Sequence, residues 1–255
     1  MIRERFDLSG KWALVTGASR GIGEATAMAL AESGADLVLV SRKLPDLEAV
    51  AAKVEAAGRK AHCIPANMGS DEELERLKDK LEEIGVTPNI LINNAATNPA
   101  MGTLIDLPDS VWQKIMDVNV TGPLRLCRRI VPMMRKAGGG SIVNVASIAG
   151  LRPSTTLGAY GISKAAVIHM TKTLASELAP FKIRVNCVAP GLVKTKFAEA
   201  LFTNEAIYKA AISQIKMHRH GEPDEIAGII LTLASEAASF MTGEVVVVDG
   251  GATLG

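Results

Sequence analysis

A short apolar strand followed by a glycine-rich turn constrains this sequence most. Trp12 to Val15 is a continuous apolar run, which stops just before a turn from Gly17 to Gly23 with the spacing Gly-x-x-x-Gly-x-Gly. A helical pattern then runs from Glu24 to Gly34. A strand, a glycine-rich turn and a helix in this order predict a site where backbone N–H groups at a helix N-terminus bind a pyrophosphate.

The remaining chain repeats this alternation of apolar runs with helical patterns. Such alternation predicts an α/β fold with a parallel sheet. A chain of 255 residues with 48% apolar content is long enough for one large domain, and we expect a single domain over residues 1–255. The later apolar runs predicted to be strands are 36–41, 60–64, 89–92, 141–146, 183–188 and 244–249.

The end of the second predicted strand indicates which dinucleotide binds. In folds of this type that prefer NAD, an acidic residue near this position holds the ribose 2′-hydroxyl. This chain has Ser41 and Arg42 there, with Arg20 in the glycine-rich turn. Guanidinium groups without a carboxylate suit a 2′-phosphate, so the sequence favours NADP(H) over NAD(H). The alternative is that Arg42 and Lys43 only solvate a loop.

Tyr160 and Lys164 are candidates for chemistry, because residues four apart in a predicted helix lie on one face. A tyrosine titrates near ~10, and a nearby cation lowers that pKa. Reaching neutral pH needs roughly 3–4 kcal/mol, so a second positive group is required besides Lys164. Ser147 ends the apolar run at 142–146, where its hydroxyl could hold a substrate carbonyl. The alternative is a solvated helix face.

Side-chain amides follow other predicted strands. Asn67 could contact an adenine ring, and the turn at 93–96 could leave room for a flat cofactor or simply suit Asn. A long helical pattern from Val111 to Arg135 contains Asn119, and Gly122-Pro123 should disturb it.

A less regular segment from about 192 to 220 contains several apolar residues. It predicts either an apolar lid over a substrate or a helical excursion that packs on the core, and both readings stay open. His218 and His220 have no further ligand set, so we expect solvated histidines and no metal site. The apolar residues concerned are Phe197, Leu201, Phe202, Ile207, Tyr208 and Met217.

Composition excludes several classes of partner. A formal net charge of +1 gives no reason to expect nucleic acid or an anionic membrane. The N-terminus lacks the apolar region of a signal peptide, and no apolar run is long enough to cross a bilayer. Three widely spaced cysteines are typical of reduced thiols. We therefore expect a soluble, cytoplasmic protein.

These motifs resemble those of the classical short-chain dehydrogenases/reductases, in that family's order and over nearly the whole chain. The resemblance implies a doubly wound Rossmann fold whose seven parallel strands are ordered 3-2-1-4-5-6-7. It also implies a homotetramer. The residues that carry it are 16–23, 93–96, Asn119, Ser147, Tyr160, Lys164, Pro190-Gly191 and the Arg-x-Gly-x-Pro run at 219–223.

The resemblance further implies reversible hydride transfer between the nicotinamide and a ketone or secondary alcohol. Tyr160 would be the general acid/base and Ser147 would hold the substrate oxygen. Lys164 would bind the nicotinamide ribose and, with the oxidised nicotinamide, lower the Tyr160 pKa, while Asn119 would fix a water linking Lys164 to solvent. The implied cofactor-binding residues are Gly17, Ser19, Arg20, Gly21, Ile22, Gly23, Ser41, Arg42, Asn67, Met68, Asn94, Ala95, Ala96, Tyr160, Lys164, Pro190, Gly191, Val193 and Thr195.

Within that family the sequence is most similar to NADP(H)-dependent carbonyl reductases, through the Ser-Arg-Lys run at 41–43 and Asn98-Pro99. One alternative is a 3-oxoacyl-carrier-protein reductase, and another is an NAD-dependent secondary-alcohol dehydrogenase. A non-catalytic dinucleotide-sensing module is a third alternative. For a carrier protein, a basic approach surface could come from Arg125, Arg128, Arg129 and Lys196.

Overall fold

A parallel seven-stranded sheet organises the fold, in the predicted order β3-β2-β1-β4-β5-β6-β7. The computed structural model describes residues 1–196, 199–202 and 205–254. Strand bounds agree with the predicted ones to within a residue or two at most ends. The strands are β1 Trp12–Thr16, β2 Asp36–Ser41, β3 Ala61–Pro65, β4 Ile90–Asn93, β5 Gly140–Val145, β6 Ile183–Pro190 and β7 Val245–Val248.

Helices connect the strands and cover both faces of the sheet. In the described parts of the chain, none of them is long and apolar enough to cross a membrane. The helices are α1 Gly21–Glu32, α2 Leu44–Ala56, α3 Asp71–Glu83, α4 Asp109–Met116, α5 Gly122–Lys136, α6 Gly158–Leu178, α7 Glu199–Phe202, α8 Glu205–Ser213 and α9 Pro223–Ala234.

The core lies in two layers, one on each face of the sheet. Successive strand residues point to opposite faces, and β1 shows the consequence. Ala13 and Val15 pack in a cluster with residues of α1, α2 and α9, whereas Leu14 packs in a second cluster with residues of α3, α5 and α6. All three side chains are fully buried. Burial on both faces explains why the strands read as continuous apolar runs.

The long helix predicted at 111–135 is interrupted, but not where expected. A π-helical turn, Asp117–Thr121, separates α4 from α5, while Gly122 and Pro123 begin α5. Proline is tolerated there because the first turn of a helix has no intrahelical partner for its N–H. At Gly122 a Cβ atom would overlap the carbonyl oxygen of Met68, so the glycine permits close approach of the two segments.

Candidate active site

A cavity of about 800 Å³ opens at the carboxyl ends of the strands, close to the glycine-rich turn. Sheets with this strand order bind ligands there, because the crossovers reverse between β1 and β4. Every residue assigned to cofactor binding from the sequence lines this cavity, and so does Ser147. Asn119 does not line it. The residues singled out from the sequence therefore lie at one cavity, and the role of each of them stays a prediction.

The glycine-rich turn brings backbone rather than side chains to the cavity. Gly17 and Gly21 have φ angles of 65° and 56°, in the left-handed region that favours glycine. Helix α1 begins at Gly21, and no side chain caps its N-terminus. The first N–H groups of a helix have no partner within it, so those of α1 can bind the phosphates of a dinucleotide.

Gly23 is where a side chain is least tolerable in this turn. A Cβ atom there would overlap the carbonyl oxygen of Gly17 and lie 2.6 Å from Nδ2 of Asn94. We expect Gly23→Ala to lower the free energy of unfolding by ~1–3 kcal/mol and to weaken dinucleotide binding by more than ~10-fold, because the turn must shift. Urea unfolding and fluorescence titration with NADPH would measure the two effects.

Gly228 provides a matched control on another helix. It lies on the exposed side of α9, and nothing is within 4 Å of an added Cβ atom. Gly228→Ala should stabilise the protein by ~0.5–1 kcal/mol and leave binding unchanged. Equal behaviour of the two variants would refute the account of Gly23.

Asn94 ties the end of β4 to the end of β1. Its Nδ2 donates to the carbonyl oxygen of Thr16 at 2.9 Å, and its backbone N–H donates to Oγ1 of Thr16 at 3.0 Å. The Ala95 N–H donates to the same hydroxyl at 3.1 Å. Asn93 points instead into the core, where its Nδ2 donates to Oδ1 of Asn144 at 2.8 Å. Asn94 therefore fixes the turn at the cavity, whereas Asn93 links β4 to β5 within the core.

Ser147, Tyr160 and Lys164 all lie at this cavity. Ser147 follows β5 after one residue, while Tyr160 and Lys164 are one turn apart in α6. Nζ of Lys164 is 5.6 Å from the centre of the Tyr160 ring and donates to the carbonyl oxygen of Val145 at 2.7 Å. Both side chains are largely buried, with exposures of 9% for Tyr160 and 3% for Lys164.

Burial is the main influence on the acidities of Tyr160 and Lys164. Burial raises the pKa of Tyr160 to about 12, and a hydrogen bond with Ser147 acts in the opposite direction. Burial also lowers the pKa of Lys164 to about 8. Desolvation of the phenolate thus outweighs the protein's own groups, and the expected lowering of the Tyr160 pKa, which includes the positive charge of an oxidised nicotinamide, stays a prediction. A protonated phenol is the form that can donate to a carbonyl.

Asn119 does not line the cavity but contacts residues next to it. The π turn buries its side chain, whose Oδ1 accepts from the Thr97 N–H at 2.8 Å. Its Nδ2 donates to the carbonyl oxygen of Thr97 at 3.0 Å and to Oγ of Ser163 at 3.0 Å. Since Ser163 donates in turn to the carbonyl oxygen of Tyr160 at 2.7 Å, Asn119 reaches the helix of Tyr160 and Lys164 through Ser163.

The sequence did not predict that α4 forms part of the cavity wall. Ser110, Gln113 and Lys114 of α4 line the cavity together with Asp117 of the π turn, at the spacing of one helical face. That spacing was visible in the sequence, but nothing distinguished this face from a solvated one. Lys43 and Asp46 also line the cavity beside Arg42.

The segment predicted as a lid is described only in part. Phe197 lies outside the described residues, as do the side chains of Leu201 and Ile207. The rings of Phe202 and Tyr208 lie 5.5 Å apart. His220, expected to be solvated, is partly buried against both rings, so that expectation is wrong.

Fold and site together define the family. A sequence model described as enoyl-(acyl carrier protein) reductase matches residues 17–253. The chain belongs to the short-chain dehydrogenase/reductase family, whose members act on CH–OH and C=O groups with a nicotinamide cofactor.

Individual relatives agree with this assignment over their full length. The Oryctolagus cuniculus protein named dehydrogenase/reductase SDR family member 4 is 43% identical over 251 residues, which cover 98% of this chain and 96% of that protein. A short-chain dehydrogenase/reductase from Mycobacterium marinum superposes with a TM-score of 0.93 at 38% identity, covering 100% of both chains. A gluconate 5-dehydrogenase from Burkholderia cenocepacia, in complex with NADP and tartrate, gives 0.95 at 29% identity, again covering 100% of both chains.

Proposed function

We propose that the protein is an NADP(H)-dependent oxidoreductase that interconverts a ketone and a secondary alcohol, with Tyr160 as the general acid/base. One observation carries the proposal: Ser147, Tyr160 and Lys164 line the same cavity as the glycine-rich turn. A carbonyl placed between Ser147 and Tyr160 would therefore lie in the same crevice as the dinucleotide.

The protein's own groups suit the protonation half of carbonyl reduction. Tyr160, whose pKa is raised to about 12, would hold its proton until the carbonyl oxygen becomes basic. The Ser147 hydroxyl would donate a hydrogen bond to the same oxygen. When bound, the reduced cofactor supplies the hydride that adds to the carbonyl carbon. In oxidation, Tyr160 would take back the hydroxyl proton, and the positive charge of Lys164 would stabilise the phenolate.

Cations at the end of β2 support the choice of NADP(H). Arg42 and Lys43 line the cavity there, with Asp46 as the accompanying carboxylate, and Arg20 lines it from the glycine-rich turn. The Burkholderia gluconate 5-dehydrogenase also binds NADP. A guanidinium can bind a 2′-phosphate with two parallel hydrogen bonds, which a ribose hydroxyl cannot match.

We expect Arg42→Asp to raise the NADPH Kd by ~10–100-fold, since hydrogen bonds to charged groups contribute ~1.5–3 kcal/mol. The NADH Kd should change by less than ~3-fold or fall, because a carboxylate there can accept from the ribose hydroxyls. Titration of the protein with each dinucleotide measures both constants. An equal rise in the Kd for NADPH and for NADH would mean that Arg42 does not bind the 2′-phosphate.

A small carbonyl compound is favoured over an acyl group on a carrier protein. Two of the arginines considered as a basic approach surface are paired: Arg125 lies 3.3 Å from Asp71, and Arg129 lies 3.0 Å from Asp71 and 2.9 Å from Glu75. Pairing reduces the net positive charge that these arginines could offer to an acidic partner.

The decisive experiment is a kinetic screen of aryl ketones, diketones, sugars and acetoacetyl thioesters with NADPH and NADH. We expect NADPH oxidation with at least one of the first three classes. Activity confined to thioesters would favour the carrier-protein alternative, and confinement to NADH would refute the cofactor choice. A lack of turnover despite tight dinucleotide binding would favour the sensing module.

We also propose a cytoplasmic homotetramer. Strand β7 lies at an edge of the sheet with Val247 39% exposed, and Phe240 nearby in sequence is fully exposed. An exposed apolar edge strand is a natural site for a second copy. Sedimentation equilibrium would measure the mass, and a monomer at micromolar concentration would contradict this proposal.

A further inference from the structure

Three polar side chains connect helix α8 to the body of the protein. The Tyr208 hydroxyl lies 2.7 Å from Nδ1 of His220, and Nε2 of His220 lies 3.2 Å from Oε1 of Glu222. An ionised Glu222 can only accept, so the hydrogen facing it belongs to Nε2. Nδ1 of a neutral imidazole is then left to accept from Tyr208, and both ring nitrogens of His220 are satisfied.

Aromatic packing adds to this connection. The His220 and Phe202 rings meet in a T-shaped arrangement with centres 5.2 Å apart, and the centre of the Tyr208 ring lies 5.7 Å from that of His220. Edge-to-face arrangements of this kind are favourable beyond the area that they bury. His220 therefore contacts residues of both α7 and α8.

The side of His220 that faces the body is firmly anchored. Arg219 donates two hydrogen bonds to the carboxylate of Glu225, at 2.7 Å and 2.6 Å, and the Glu222 N–H donates to the same carboxylate at 2.8 Å. Glu225 belongs to the first turn of α9, whose Ile226 and Ile230 are buried in the core.

The same segment is hydrogen-bonded to the cavity wall. Gly221 pairs with Val193 in an isolated parallel bridge, in which the Gly221 N–H donates to the Leu192 carbonyl and the Lys194 N–H donates to the Gly221 carbonyl, both at 2.9 Å. Val193, Thr195 and Lys196 line the cavity, and the chain enters α7 at Glu199. His220 thus connects the cavity wall to α7 and α8, the two helices that follow the wall residues in the chain.

We propose that His220 is a positioning residue, which through Tyr208 and Glu222 holds α7 and α8 against the Val193–Gly221 bridge, beside the part of the cavity wall that Val193, Thr195 and Lys196 form. Helices of four and nine residues are too short to be stable alone, so their position depends on such contacts. This inference rests on the proposed function, since it assigns His220 a part in binding the carbonyl substrate.

Tyr208→Phe and His220→Phe remove the hydrogen bonds but keep the rings, while His220→Asn keeps an acceptor for Tyr208. We expect amide hydrogen exchange in α8 to become ~5-fold faster in Tyr208→Phe and ~10-fold faster in His220→Phe, with His220→Asn between wild type and His220→Phe. The KM for the carbonyl substrate should rise by up to the same factors. The kcat and the NADPH Kd should stay within about twofold, because opening lowers the fraction competent to bind.

The double variant tests whether the two residues act as one unit. Adding Tyr208→Phe to His220→Phe should cause no further change, because the hydrogen bond is already lost. His169→Asn, at an exposed histidine of α6, is the matched control and should behave as wild type. Unchanged exchange in both single variants, or fully additive effects in the double variant, would overturn the inference. Exchange is measured without substrate, so it decides the inference even if no carbonyl compound is turned over and the proposed function fails.

Discussion

Tyr160→Phe is expected to lower kcat for carbonyl reduction by ~10³-fold, within the ~10²–10⁴ range of general acid–base catalysis. The phenylalanine ring fills the same space but has no proton to donate to the carbonyl oxygen. Stopped-flow measurement of NADPH oxidation at saturating substrate would isolate the chemical step from binding.

Two further measurements separate this effect from misfolding. The NADPH Kd should stay within ~3-fold, since one hydroxyl of many cavity groups is removed, and the melting temperature should change by only a few degrees. A variant that keeps more than a tenth of the wild-type kcat would disprove the assignment of Tyr160.

Lys164→Met should separate activity from stability. We expect kcat to fall by at least ~10²-fold, because the phenolate loses its neighbouring cation. Stability should respond differently. Burial lowers the pKa of Lys164 from 10.5 to about 8, which corresponds to a cost of ~3 kcal/mol at pH 7 for the buried ammonium. Loss of the hydrogen bond to Val145 offsets ~1–3 kcal/mol, so the variant should be as stable as wild type or slightly more stable.

The difference in stability between Lys164→Met and wild type should depend on pH. The folded wild type releases the Lys164 proton near pH 8, whereas the unfolded chain holds it to 10.5, so wild type gains stability as the pH rises through that window. The variant lacks this gain. Urea unfolding should therefore show the variant losing ~2–3 kcal/mol relative to wild type between pH 7 and pH 10.

Lys172→Met on the same helix is the matched control. Its side chain is exposed, so neither activity nor the pH dependence of stability should change. If Lys164→Met unfolded much more easily than wild type at pH 7, the buried ammonium would be stabilising, and the cost assigned to its burial would be wrong.

The parallel strands and the members of the cavity were predictable because both follow from local signals. Glycines between a strand and a helix, and polar residues where a strand stops, are fixed by backbone geometry within a few residues. Gly17, Ser147 and Pro190 therefore fall at one cavity once the strands are parallel. The family resemblance added the order of the strands, which single-strand patterns do not contain.

Other features depend on contacts distant in sequence and were not predictable. Gly122-Pro123 marked an irregular helix, but the π turn lies before it, where Asn119 meets Thr97 and Ser163. The high Tyr160 pKa comes from burial, which residue spacing does not report. His220 finds Tyr208 only because the chain returns from α8, so its lone position in the sequence suggested solvent.

The π turn at Asp117–Thr121 sets the rotation of α4 relative to α5. Upstream, α4 presents Gln113 and its neighbours to the cavity, while downstream α5 presents Leu126 and Ile130 to the core. Removing one residue from an α-helix rotates the upstream part by about 100° relative to the downstream part. Because Ile115 of α4 is itself fully buried, a rotation of α4 would move a core side chain together with the lining of the cavity, so the length of this turn fixes both at once.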